Sequence, residues 1–226
     1  MTADGTVYFT QSGMPVAGTI EHVARDGTVT DLGAGLPSNS VPEELALGPA
    51  GTVWFTDVGT HAIGVVRANG TITEYHDGLG PLSDLSGLVA GPGGNMWFAD
   101  YGPSGGKIGQ ITSSGKVTEF RVTPHRSSSV GGVAPVAGGG AFFTDNPGRT
   151  GDDPNSCTAN GRPFVGYLTG AGRVTRLATP LGPGRSLYGS AGVSSLGEMT
   201  AGPGRSVWFA AMDAGTPGFG RITPTG

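Results

Sequence analysis

The apolar residues of this chain fall into short runs of four or five rather than stripes at helical spacing, and the runs recur. One pattern, closed by an aromatic pair, occurs five times: GTVYFT at 5–10, GTVWFTD at 51–57, GNMWFAD at 94–100, GAFFTD at 140–145 and SVWFA at 206–210. Its first aromatics, Tyr8, Trp54, Trp97, Phe142 and Trp208, lie 46, 43, 45 and 66 residues apart. A second pattern follows each: GTIEHVARDGTVTDL, AIGVVRANGTITEY, KIGQITSSGKVTEF, FVGYLTGAGRVTRL and FGRITPTG. A third, such as LALGPAG or LVAGPGG, precedes the aromatic pair in four units. Runs of β-branched and aromatic residues bounded by Gly-Pro and Gly-Gly read as strands, and Asn-Gly and Ser-Gly supply the positive φ of two-residue hairpin turns.

Each unit therefore reads as strand a (LVAG), strand b (MWFA), strand c (KIGQIT) and strand d (KVTEF). Four antiparallel strands every 40–45 residues predict an all-β fold, a β-propeller of four-stranded blades. About five blades are expected in one domain over 1–226, in units 3–32, 43–77, 86–122, 131–178 and 197–226. Only four a strands and four d strands accompany five b and five c strands. That count predicts an incomplete six- to seven-bladed ring, whose open blade ends would favour self-association.

Composition narrows the function. With 44 glycines, 17 prolines and 13% charged residues the chain could pass for low complexity, but regular apolar runs argue for a packed core. Thirteen Lys and Arg against 17 Asp and Glu, with no basic run, exclude a nucleic-acid footprint. No stretch approaches the roughly 20 apolar residues of a membrane span. The N-terminus lacks the apolar core of a signal peptide, so a cytoplasmic location is expected. A single cysteine, Cys157, excludes an intrachain disulfide, and no histidine partner is evident for it.

GPGGNMWFAD followed by GGKIGQITSSGKVTEF closely resembles the repeat of the virginiamycin B lyase (streptogramin B lyase) family. GPAGTVWFTD, AIGVVRANGTITEY and AGPGRSVWFA with GFGRITPTG are similar to it, and the resemblance spans nearly all of 3–226, weakest over 121–200. It implies a seven-bladed propeller and a lyase of antibiotic resistance. The family opens the ester of a cyclic depsipeptide, a streptogramin B antibiotic, by elimination with Mg²⁺. The ligand implied is a small cyclic peptide. Elimination needs a base for the α-proton, a metal for the enolate-like charge and an acid for the leaving group. The family places a catalytic histidine eleven residues before the strand b tryptophan. Here those slots hold Glu43, Ser86, Gly131 and Gly197. The family's acidic slot after strand b holds Asp57, Asp100 and Asp145.

In a propeller the d–a and b–c connections share one face. That face carries the starts of strand a, the ends of strand b and both long insertions, 146–162 and 178–196. It is the expected site. Glu43 and His61, the latter in GTHAIG where the family usually has Asn, are the candidate catalytic residues. Asp57, Asp100 and Asp145 are the candidate ligands for Mg²⁺. A second reading has each aspartate capping its own b–c turn, and equal placement in consecutive blades suits such a repeated structural role better. Asp152, Asp153 and Asn155 read as a surface turn, and His125 as a loop residue away from the axis. Trp54, Trp97 and Trp208 are expected in the core between blades. Two alternatives to the lyase stay open: a non-catalytic binding module, and a metal-dependent lactonase.

Overall fold

The second strands of the second and third units and the third strands of the second and fourth are buried along their whole length, which is why those apolar runs read as continuous rather than alternating. The structure, a computed structural model, describes residues 1–13, 16–103, 105–123, 128–147, 163–177, 195–213 and 216–224. Among them eighteen strands form five sheets. The first joins β1 (Val7–Gly13), β2 (Val16–Val23) and β3 (Val29–Asp31), in that order. The second joins β4 (Pro42–Leu47), β5 (Val53–Asp57), β6 (Ala62–Val66) and β7 (Ile72–Tyr75). The third joins β8 (Leu85–Ala90), β9 (Met96–Asp100), β10 (Lys107–Ile111) and β11 (Val117–Arg121). The fourth joins β12 (Ser128–Val136), β13 (Gly140–Pro147), β14 (Phe164–Leu168) and β15 (Val174–Leu177). The fifth joins β16 (Ser195–Ala201), β17 (Val207–Asp213) and β18 (Thr216–Ile222).

These are the expected blades, antiparallel meanders in sequence order. The first lacks an a strand and the last lacks a d strand, as the repeat count requires. The chain divides into two compact units, residues 1–98 with 110–118 and residues 99–109 with 119–226. In the first, Trp54, Ile63, Leu85, Met96, Phe98 and Ile111 form one core cluster, and Ile20, Val53, Phe55 and Val66 another. In the second, Phe142, Val165, Tyr167, Leu196, Val207 and Phe209 share a cluster.

The repeating contact inside a blade is a phenylalanine of strand b lying over a glycine of strand c. Phe55 is the cross-strand partner of Gly64, Phe143 of Gly166 and Phe209 of Gly220. A β-carbon on any of these glycines would overlap the ring. In the first sheet Glu21 takes the glycine's place opposite Phe9, and Phe9 is 37% exposed where Phe55 and Phe143 are fully buried. A second close approach sets strand a against strand b: the indoles of Trp54 and Trp97 cover Gly48 and Gly91.

Trp54 and Trp97 are buried as expected, but Trp208 is 45% exposed. Its indole has the Arg221 guanidinium 5.9 Å from the ring, and Met212 and Phe219 of the same sheet are exposed too.

Substituting Gly64→Ala should lower stability by about 1–3 kcal/mol, the cost of overpacking a filled core. Gly218→Ala, where a β-carbon meets nothing within 4 Å, should change it by less than about 0.5 kcal/mol. Urea unfolding of the two variants measures the difference.

Candidate functional site

Strand a reaches the site end of its blade through a β-bulge. The register of β4 on β5 shifts between Pro42, opposite Asp57, and Leu45, opposite Phe55. The same shift falls between Val130 and Val133 and between Leu196 and Met199. The bulged residues are therefore Glu43-Glu44, Gly131-Gly132 and Gly197-Glu198, so three of the four slots singled out in the sequence lie on bulges. Bulges re-aim side chains beside functional sites. Here the bulge separates two neighbouring glutamates. Glu43 is exposed. Glu44 turns inward, and its Oε2 accepts the Leu88 N–H at 2.9 Å, tying one blade to the strand a of the next.

Asp57 ends β5 fully buried. Its Oδ1 accepts N–H groups from Val41 at 2.8 Å, Gly59 at 2.9 Å and Thr60 at 3.1 Å, and Ser40 Oγ donates to Oδ2. One carboxylate thus fastens both the chain leading into strand a and the b–c loop. This is the turn-capping arrangement, extended by a second loop. The loop it shapes presents His61 with φ at +54°, a left-handed conformation that surrounding contacts must hold. His61 Nδ1 lies 2.8 Å from the Ser83 carbonyl oxygen. A carbonyl accepts only, so Nδ1 is the donor, and the neutral form of the ring has its lone pair on Nε2.

Asp100 is treated differently. Gly102 donates its N–H to Oδ1 at 2.9 Å, and Lys107 Nζ donates to Oδ2 at 2.9 Å and to Glu119 Oε2 at 2.7 Å. Burial alone would lower the Lys107 ammonium, but Glu119 and Asp100 outweigh it and hold it above its ordinary value. Burial raises Glu119, with Lys107 pulling the other way. Asp145 is 1% exposed at the end of β13, opposite Val130 and Phe164. Asn146, next to it, exchanges two hydrogen bonds of 2.7 Å with the Leu196 backbone, fastening β13 to β16.

Sequence reasoning passed over Glu44, Glu74, Lys107 and Glu119. The last three carried a signal in the repeat. Glu74 and Glu119 share one strand d position, in TITEY and KVTEF, and AIGVV against KIGQI exchanges Ala62 for Lys107. Glu74 is raised to about 7, first by burial and then by Asp57. Most of the insertions, 148–162 and 178–194, lie outside the described residues, with Asp152, Asp153, Asn155, Cys157 and His125.

Residues 1–151 match the virginiamycin B lyase family. The chain belongs to that family. No curated protein matches it in sequence. Among solved structures it is similar to selenomethionine-substituted virginiamycin B lyase from Staphylococcus aureus, with a TM-score of 0.70 and 22% identity over 99% of this chain and 68% of that one. A catalytically inactive histidine-to-alanine variant of virginiamycin B lyase from the same organism, with quinupristin, gives a TM-score of 0.69 and 22% identity over 98% of this chain and 64% of that one. This chain thus spans about two thirds of those lyases' length. A chain of a nidogen/laminin complex gives 0.58 and 18% over 99% of this chain and 78% of that one. These likenesses establish the β-propeller fold.

The Mg²⁺ that the family implies needs oxygen ligands free to turn to it. Asp57 and Asp100 are held by N–H groups, Ser40 and Lys107. Among the described residues no three His, Cys, Asp or Glu side chains stand together to hold a metal. The described residues do not fit such a site, and no step below runs through one.

Asp57→Ala should cost about 2–4 kcal/mol, because it strands three part-buried N–H groups and the Ser40 hydroxyl, whereas an aspartate needed only for chemistry would be replaced without loss of stability. Thermal unfolding separates the two. Glu74 gives a pH test. Its folded value lies above the ordinary 4.5, so its contribution is complete below about pH 4.5 and is lost as pH rises through about 7. In a choline buffer the wild type should lose roughly 2 kcal/mol between pH 5 and pH 8 that Glu74→Gln does not lose.

Proposed function

We propose that this chain holds a small cyclic peptide-like ligand, a cyclic depsipeptide of the streptogramin B class, at the loop end of its blades and opens the ester by elimination, with His61 as base. The observation that carries the reading is the Nδ1 contact of His61 to the Ser83 carbonyl, which holds the neutral imidazole as the tautomer whose Nε2 can accept a proton. Family membership supports it, as does the quinupristin bound to a lyase of the same fold.

In the elimination, Nε2 takes the proton from the carbon α to a carbonyl, and that electron pair becomes the new carbon–carbon double bond. The β-carbon to ester-oxygen bond breaks, and its electrons leave with a carboxylate. No water is added, so the ring opens at constant mass. Glu43, exposed on the bulge of β4, supplies an acceptor for ligand N–H groups.

A binding module without chemistry is favoured by one observation: Asp57 and Asp100 are both spent on structural bonds. Mass spectrometry of a streptogramin B antibiotic incubated with the purified chain, with Mg²⁺ and then with EDTA, decides between them. The lyase gives a linear product of unchanged mass, and His61→Ala should slow its formation about 100-fold or more. A product heavier by one water indicates a lactonase. Intact antibiotic in the presence of folded protein indicates the binding module.

A further inference from the structure

The blades fill two equivalent places in different ways, and the strand d place is largely buried in the second and third blades and exposed in the first and fourth. Two places are equivalent by register: the strand c residue opposite the Asp57 position of strand b, and the strand d residue opposite the c-strand glycine or its counterpart. In the first blade these are Thr19, opposite Gln11, and Asp31, opposite Glu21. In the second they are Ala62, opposite Asp57, and Glu74, opposite Gly64. In the fourth they are Phe164, opposite Asp145, and Arg176, opposite Gly166. The repeat puts Lys107 and Glu119 there in the third.

Among the four blades with a described strand d, only the second sets two carboxylates at these places with no lysine or arginine. The first has a single acid, Asp31, satisfied by Thr19 Oγ and the Gly33 N–H. The third sets the Lys107 ammonium between two carboxylates. The fourth carries an arginine where the second and third carry glutamates. The second has two carboxylates, Asp57 and Glu74, and alanine in the lysine's place. The Glu74 side chain is only 7% exposed, and neither of its oxygens has a hydrogen-bond partner. It faces Asp57 and Thr60, and the buried Thr60 Oγ1 is likewise without a hydrogen bond. The remaining neighbour is His76, whose Nε2 lies 3.7 Å from Glu74 Oε2 with a ring that is 56% exposed.

We infer that the second blade binds a monovalent cation of ammonium or potassium size between Asp57, Glu74 and Thr60, in the place that the Lys107 ammonium fills in the third blade. Two buried carboxylates in contact need a counter-charge. The third blade shows which one this scaffold accommodates: a single positive charge 2.7 and 2.9 Å from the two oxygens. Mg²⁺ needs oxygens at about 2.0–2.1 Å and Ca²⁺ at about 2.3–2.6 Å, closer than the third blade sets them. A proton competes for the same pair, so the ion binds better as pH rises.

The test is thermal unfolding of the full chain at pH 8 in potassium, sodium or choline chloride of equal ionic strength. The wild type should melt about 3 °C higher in potassium than in choline, which is too large to enter. Glu74→Gln should melt at one temperature in all three salts, as should Ala62→Lys, which carries the third blade's ammonium. If Ala62→Lys fails to fold, Glu74→Gln still decides. Equal melting of the wild type in potassium and choline overturns the inference and leaves a shared proton. A larger rise with Mg²⁺ or Ca²⁺ than with potassium overturns the monovalent assignment.

Discussion

The strand c glycine beneath a strand b phenylalanine is the contact on which this structure rests. The ring lies flat across the neighbouring strand because that residue has no side chain, so both central strands can be covered on both faces. Burying a phenylalanine contributes roughly 1.5–3 kcal/mol, and the contact recurs from blade to blade. The first sheet shows the dependence. Glu21 cannot lie under a ring, and there the phenylalanine is left partly exposed.

That constraint also shapes the loop end. With the middle of each blade filled by aromatic rings, polar groups collect at the last pair of strands b and c and at the strand d residue beside the ring. Carboxylates placed there are buried and must be satisfied in place. Asp57 meets the need with backbone N–H groups and Asp100 with Gly102 and a lysine. The two solutions have different consequences. Asp57 organises the loop that presents His61, whereas Lys107 ties strands b, c and d of its own blade together.

The histidine proposed as base does not occupy the slot that the family resemblance indicates. The bulge of strand a displays Glu43 there, while His61 stands at the end of the b–c loop against the following d–a connection. Both belong to the same end of the second blade. The carbonyl of Ser83 fixes which ring nitrogen is basic, a role often given to a carboxylate in catalytic histidines.

Much of the fold was legible in the residues alone. Strand identity, order and blade number follow from local chemistry, since β-branched and aromatic runs, Gly-Pro ends and Asn-Gly turns act within a few residues. The family followed from the same repeat. The site was legible only in part. The starts of strand a lie one to three residues before the places expected, and a bulge leaves no mark in Glu43-Glu44 or Gly131-Gly132. The partners of Asp57 could not be read either. A carboxylate after strand b looks the same in sequence whether N–H groups or a lysine completes it. Which one does so depends on Ser40 and Val41 before strand a, on Ala62 or Lys107 across the loop, and on Glu74 or Glu119 two strands away. The sequence determined the blades because their code is local, and only the tertiary structure decided the charge balance, because buried charge is balanced by whatever the fold brings within a few ångströms.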